Sequence, residues 1–260
     1  ACGRRFLIVK TGGHRPPLQL RKGSCWAHMA KNGKDKPTNL SSERGGSLAK
    51  LPSSVIEIES GFVLGARLAG APKGGVRRLA LTGLDAGVIE PSPSQVNVAK
   101  PEMLGQAIRT VSKSIGSGGG RTALLLPDAA VRVNILEFET IPSKRNDLEA
   151  LLRWRIKDSL GFAVEEARIS YQETRRAAGK IELLVVAVKK DVLAQYEALI
   201  EPVRGSPATV LPATIALLPL LPESDPGVQL LTHVCSGWVT HALVEGERLR
   251  FWRSRQLAQD

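Results

Sequence analysis

Residues 151 to 157 read LLRWRIK, which sets Trp154 between Arg153 and Arg155 with Lys157 close behind. Such a set serves three chemistries: cations interleaved with an aromatic grip nucleic acid, a cation stabilises charge developing in a reaction, and Trp with Arg anchors a protein interface. Other chemistry-bearing residues are sparse. His233 and His241 stand eight apart without a partnered carboxylate or cysteine spacing, while His14 and His28 lie near the start, so no metal-ligand set forms. Cys2, Cys25 and Cys235 give neither a disulfide framework nor a metal pair, which fits a reducing compartment. The run SGGGR at 117 to 121 follows a helical pattern and precedes a strand, the reverse of the order a phosphate loop needs, and reads as a connection. Glu165 and Glu166, followed by Arg168, read as a solvated turn, with nothing to pair them as acid and base. No enzyme constellation stands out.

Charge then narrows the choice for LLRWRIK. The chain of 260 residues carries a formal +11, which by itself suggests nucleic acid or an anionic surface. Residues 1 to 50 hold 11 Lys/Arg against 2 Asp/Glu, and the remainder holds 25 against 23. The body is nearly neutral, so nucleic-acid binding loses its support. The leader is Gly-, Pro-, Ser- and Lys-rich, with only FLIV as an apolar patch, and reads as disordered over 1–50. Met29 is the first methionine, which leaves open whether residues 1–28 belong to the native protein. No run approaches the roughly 20 apolar residues of a membrane span, and FLIV is too short for a secretory signal. The expected location is cytoplasmic.

The elements that must position these residues begin near residue 53. SSVIEIESGFVLGARLAG reads as two strands joined at Ser60 and Gly61, and GVRRLALTGLDAGVIEP supplies a third and a short fourth piece. KPEMLGQAIRTVSKSIG puts Met103, Leu104, Ala107, Ile108, Val111 and Ile115 on one helical face, with Gly116 placed to end it. RTALLLP is a buried strand and VRVNILEFE an alternating one. A helix over 147–160, capped by Asp147, carries Leu148, Leu151, Leu152, Ile156 and Leu160 as a stripe. At about 100° per residue Arg155 falls inside that stripe and Arg153 borders it, while Trp154 and Lys157 point away. An inward arginine either snorkels out of a core or meets a partner's acid; an outward tryptophan either lies under a loop or waits for a partner.

ARISYQETR and IELLVVAVKK follow as strands across AAGK. DVLAQYEALIEPV is a helix capped by Asp191 that buries Val192, Leu193, Tyr196, Leu199 and Ile200, and PATIALLPLL is a short apolar helix. The segment from Gly227 reads as a strand, a turn at Ser236 and Gly237, and a hairpin around EGE. Two meanders with Ser-Gly turns, about 170 residues apart, are the pattern of a duplicated actin-like fold whose cleft would hold nucleotide.

ALLLPDAAVRVNILEFETIP, LEALLRWRIKDSLGFAVEEARISYQ, LLVVAVKKDVLAQYEALIEPV and PATIALLPLL together resemble the PilM family, actin-like proteins of the type IV pilus inner-membrane assembly complex. The match runs over 54–257, and GspL-type cytoplasmic domains of type II secretion share the architecture. The resemblance implies an α/β, actin-like (ribonuclease H-like) fold with a small inserted α/β subdomain and a truncated second half. It divides the chain into the leader at 1–50, a first core subdomain at 51–142, the insert at 143–205 and the start of an incomplete second subdomain at 206–260. It implies a cytoplasmic scaffold, peripheral on the inner membrane, that receives the N-terminal tail of a PilN-like partner near Arg153, Trp154 and Arg155. The alternatives are an actin-like ATPase switch and a GspL-like secretion platform component.

The family's ligand is ATP with magnesium, and its phosphate loops fall on Glu57, Ser60 and Gly61 and on Ser236 and Gly237. Here Glu57 stands at the family's Asp, Glu59 at its Gly and His233 at the acid of the second loop. A carboxylate facing phosphates in place of a bare backbone amide is unfavourable without metal, so the expectation is weak ATP binding or no cofactor, with magnesium-ATP left open if the loops function.

Overall fold

The computed structural model describes residues 5–9, 52–69, 75–116, 121–222, 227–235, 237–246 and 248–257. Strand β1 (Arg5–Val9) falls within the expected disordered leader and departs from that expectation, pairing antiparallel with a strand from the end of the chain. The rest of the leader lies outside the described residues.

β2 (Ser54–Glu59) and β3 (Phe62–Leu68) form the hairpin expected across Ser60 and Gly61, and β4 (Val76–Gly83) extends it. α1 (Pro101–Ile115) then crosses over so that β5 (Thr122–Leu126) lies parallel to β2. Proline begins this helix, where its missing N–H costs nothing, and Gly116, at φ +86°, ends it. Leu104, Ala107, Ile108, Val111 and Ile115 are buried as the spacing predicts, whereas Met103 is exposed. Gly65 lets the helix approach β3 closely: a Cβ there would lie 2.3 Å from Val111 Cγ1.

β6 (Arg132–Phe138), α2 (Arg145–Leu160), β7 (Ala167–Ala177) and β8 (Lys180–Lys189) build a second unit, an antiparallel sheet in the order β6-β8-β7 with α2 on one face. α3 (Lys190–Arg204) returns to pack beside α1, sharing its core through Val192, Leu193, Tyr196 and Ile200. β9 (Thr209–Pro212) lies parallel to β5 and completes a five-stranded sheet in the order β4-β3-β2-β5-β9. The pairing therefore moves two expected boundaries. β6, placed by the sequence in the first core, belongs to the insert sheet, and β9, placed in the second subdomain, belongs to the first sheet.

Helix starts also differ by a residue or two. α2 begins at Arg145 and α3 at Lys190, neither with a side-chain cap. Asp147 and Asp191 sit inside the first turns, where a carboxylate still favours the helix dipole.

α4 (Ala213–Leu217) leads to β10 (Val228–Cys235), β11 (Trp238–Glu245) and β12 (Arg248–Gln256), a meander that β1 extends into the order β1-β10-β11-β12. Both faces of β8 are used. Leu183 and Val185 meet α2, while Leu184 joins Ile215, Leu218, Leu231, Ala242, Val244 and Leu249 in a core that joins the insert to the second meander.

Candidate functional site

The cleft of the fold opens where three strands end. Side chains alternate along β2, so Glu57 and Glu59 share the face opposite Ile56 and Ile58, and both are 5% exposed. β5 runs through Pro127 into Asp128, which opens a tight turn of 3-10 helix. β9 runs into α4, whose second residue is Thr214, and β10 brings His233 from the second meander.

Asp128, Thr214 and His233 meet at exposures of 6%, 0% and 3%. The backbone N–H of Thr214 donates to Asp128 Oδ1 at 3.0 Å, and its hydroxyl donates to Asp128 Oδ2. His233 Nδ1 lies 2.7 Å from Thr214 Oγ1 and 3.5 Å from Asp128 Oδ2. A hydroxyl has a single proton. With that proton given to the carboxylate, Thr214 accepts from His233, and Nδ1 is the protonated ring nitrogen.

Glu59, Asp128, His233, Cys235, Trp238 and Thr240 surround a space with room for about one water. Tyr196, buried beneath, has its pKa raised by desolvation and further by the negative charge of Glu59.

As it stands the space is too small for a nucleotide's phosphates, and among the described residues lining it there is no lysine or arginine, only the carboxylates of Glu59 and Asp128. Glu57 and Glu59 thus stand where the first phosphate loop was expected, but as buried acids. Ser60 and Gly61 form the β2–β3 turn, where the Gly61 carbonyl accepts from Leu84 N–H at 2.9 Å. Ser236 lies outside the described residues. Gly237 has φ +81° with open space where a Cβ would stand, so glycine there answers to the β10–β11 turn. Among the described residues no group of three or more His, Cys, Asp or Glu could hold a metal ion.

The LLRWRIK residues are brought onto α2 but not into one site. Leu148, Leu152, Ile156 and Leu160 are buried and Leu151 is only half-buried. The buried stripe is therefore centred further from Arg155 than the five-leucine-and-isoleucine pattern implied. Arg155 is exposed, not inward, with its guanidinium 5.3 Å from the Phe138 ring centroid. Arg153, expected to border the stripe, is half-buried and donates from Nη1 to the carbonyls of Val164 at 2.7 Å and Ala167 at 3.2 Å, tying the segment after α2 to the helix. Trp154 points outward as expected. It is 61% exposed, with Lys157 Nζ 6.0 Å from its ring.

Asp128 and Thr214 escaped the sequence reading. The available signal was a lone polar residue at the end of each apolar stretch, LLLPD and LPAT.

No family model matches the sequence, and no curated protein matches it. Among solved structures the chain is similar to one in the PilM–PilN type IV pilus biogenesis complex, with a TM-score of 0.69 at 18% identity, covering 80% of this chain and 62% of that one. It is also similar to a Bacteroides thetaiotaomicron protein with an actin-like ATPase fold, with a TM-score of 0.50 at 9% identity over 81% of this chain and 72% of that one. The cytoplasmic domain of EpsL, an inner-membrane component of the Vibrio cholerae type II secretion system, aligns at a TM-score of 0.46 and 14% identity over 74% and 70%. The fold is actin-like, as the resemblance implied, and the chain spans 62% of the length of the pilus-complex chain.

Proposed function

We propose that this chain is an actin-like scaffold of a type IV pilus inner-membrane platform and that its insert receives the N-terminal cytoplasmic tail of a PilN-like membrane protein. The observation that carries the reading is Trp154. The opposite face of α2 is filled by buried leucines and isoleucine, yet this large aromatic stands 61% exposed beside Lys157. Among the described residues no helix is long and apolar enough to cross a membrane, so attachment would come through the partner. The likeness of the fold to a chain of the PilM–PilN complex supports the choice of partner.

In this reading an apolar residue of the tail stacks on Trp154 while acidic groups meet Lys157 and Arg155. Trp and Arg are enriched among the few residues that dominate binding at such sites. Arg153 is engaged with backbone carbonyls and contributes shape, not steering. ATP hydrolysis is the competing reading, and a space with room for about one water weighs against it.

The test is titration of the partner's tail peptide against the wild type, Trp154→Ala and Arg155→Ala, with circular dichroism on each. Trp154→Ala should lose about 2 kcal/mol or more of binding with its fold intact. Unchanged affinity in both variants would sink the proposal.

A further inference from the structure

We infer that Asp128, Thr214 and His233 form a clasp that holds the two halves of the fold closed without nucleotide, at the place where an actin-like cleft would admit phosphates. Each member comes from a different part of the chain. Asp128 follows β5 of the first sheet, Thr214 is the second residue of α4 after β9, and His233 lies on β10 of the second sheet. The hydrogen bonds run one way, from imidazole to hydroxyl to carboxylate, and Asp128 accepts from both the N–H and the O–H of Thr214. A buried carboxylate satisfied in this way has no need of a cation.

Closure is reinforced by an apolar seam beside the clasp on the same elements. Ile215 and Leu218, just beyond Thr214, pack on Leu231 of β10 beside His233. Admitting a phosphate would require breaking the hydrogen bonds around Thr214 to enlarge a space with room for about one water, so the energetic bias favours the ligand-free closed form. In a low-dielectric setting each broken bond to a carboxylate costs more than one to a neutral group. The clasp makes the cleft a structural joint, with relative motion of the halves tied to one threonine hydroxyl.

The experiment is hydrogen exchange read by mass spectrometry on the full chain, alone and with Mg-ATP or Mg-ADP. Neither nucleotide should slow exchange at the β2–β3 turn or at α4, nor raise Tm. Thr214→Val, which keeps the side-chain shape and removes the hydroxyl, should speed exchange in α4 and β10 by about tenfold or more while α2 is unchanged. Thr214→Ser should behave as the wild type. If Thr214→Val does not fold, Asp128→Asn, which keeps an acceptor oxygen but loses the charge, must show the same local loosening. Protection by Mg-ATP, or wild-type exchange at α4 and β10 in the folded variant, overturns the inference.

Discussion

Glu182 joins the insert to the second meander, and neutralising it should weaken that joint in a pH-dependent way. It lies on β8 with its side chain on the Leu184 face, away from α2. Arg248 of β12 grips it with Nη2 2.8 Å from Oε2 and Nε 3.4 Å from Oε1, and Thr174 of β7 donates to Oε1 at 2.7 Å. Arg250 stands 3.9 Å away. The side chains of Glu182 and Arg248 are 8% and 19% exposed, so the pair is largely, though not fully, out of water.

Burial by itself raises the Glu182 pKa. The hydrogen bonds from Arg248 and Thr174, with the charges of Arg248 and Arg250, outweigh burial and hold the pKa below the ordinary glutamate value. A depressed folded pKa contributes stability that is complete above the unfolded value and is lost as pH falls through the folded one. Glu182→Gln keeps the shape and an acceptor for Thr174 but leaves Arg248 with Glu245 at 3.7 Å as its remaining acid. The expected cost is about 2–3 kcal/mol at neutral pH, below that of breaking a fully buried pair because Arg248 keeps some water.

Urea unfolding followed by tryptophan fluorescence measures the cost. The gap between wild type and variant should narrow as pH falls below about 4, where the unfolded glutamate takes up its proton. In an Arg248→Ala background the same substitution should cost less than about 1 kcal/mol. A gap unchanged between neutral and acid pH, or one under about 0.5 kcal/mol at neutral pH, would refute the reasoning.

Gly65→Ala should destabilise the chain by about 1–3 kcal/mol, because the new Cβ would stand 2.3 Å from Val111 Cγ1. Val111→Ala should relieve part of that loss, and additive costs in the double variant would exclude a steric cause. Arg153→Met removes the donors to the Val164 and Ala167 carbonyls and should lower stability by about 1–2 kcal/mol. It should leave quenching of the exposed Trp154 by acrylamide unchanged. Gly237→Ala forces a Cβ into φ +81° and should cost about 1–2 kcal/mol, read as a lower Tm without any change in nucleotide response.

The local elements that were legible are each written in a short repeat of apolar residues. Leu104, Ile108, Val111 and Ile115 face one core at helical spacing, and the Ser60 and Gly61 turn lies where two alternating runs meet. Positive φ at Gly116 and Gly237 follows from glycine at the expected ends. Long-range pairing was not legible in the same way. β6 reads as a strand of the first core and β9 does not read as a strand at all, and the registers Phe138↔Ile181 and Ala123↔Thr209 place them in different sheets.

Burial of α2 shows the same division. Helical angles placed Arg155 among leucines, but the neighbouring sheet covers only the sector of Leu148, Leu152, Ile156 and Leu160, and Arg155 lies outside it. Asp128, Thr214 and His233 are separated by 86 and 19 residues, and no periodicity links such positions. Sequence set the strands and helices through local conformational preference and apolar spacing. Tertiary structure alone decided which polar side chains meet, because contacts between distant residues depend on how whole elements pack.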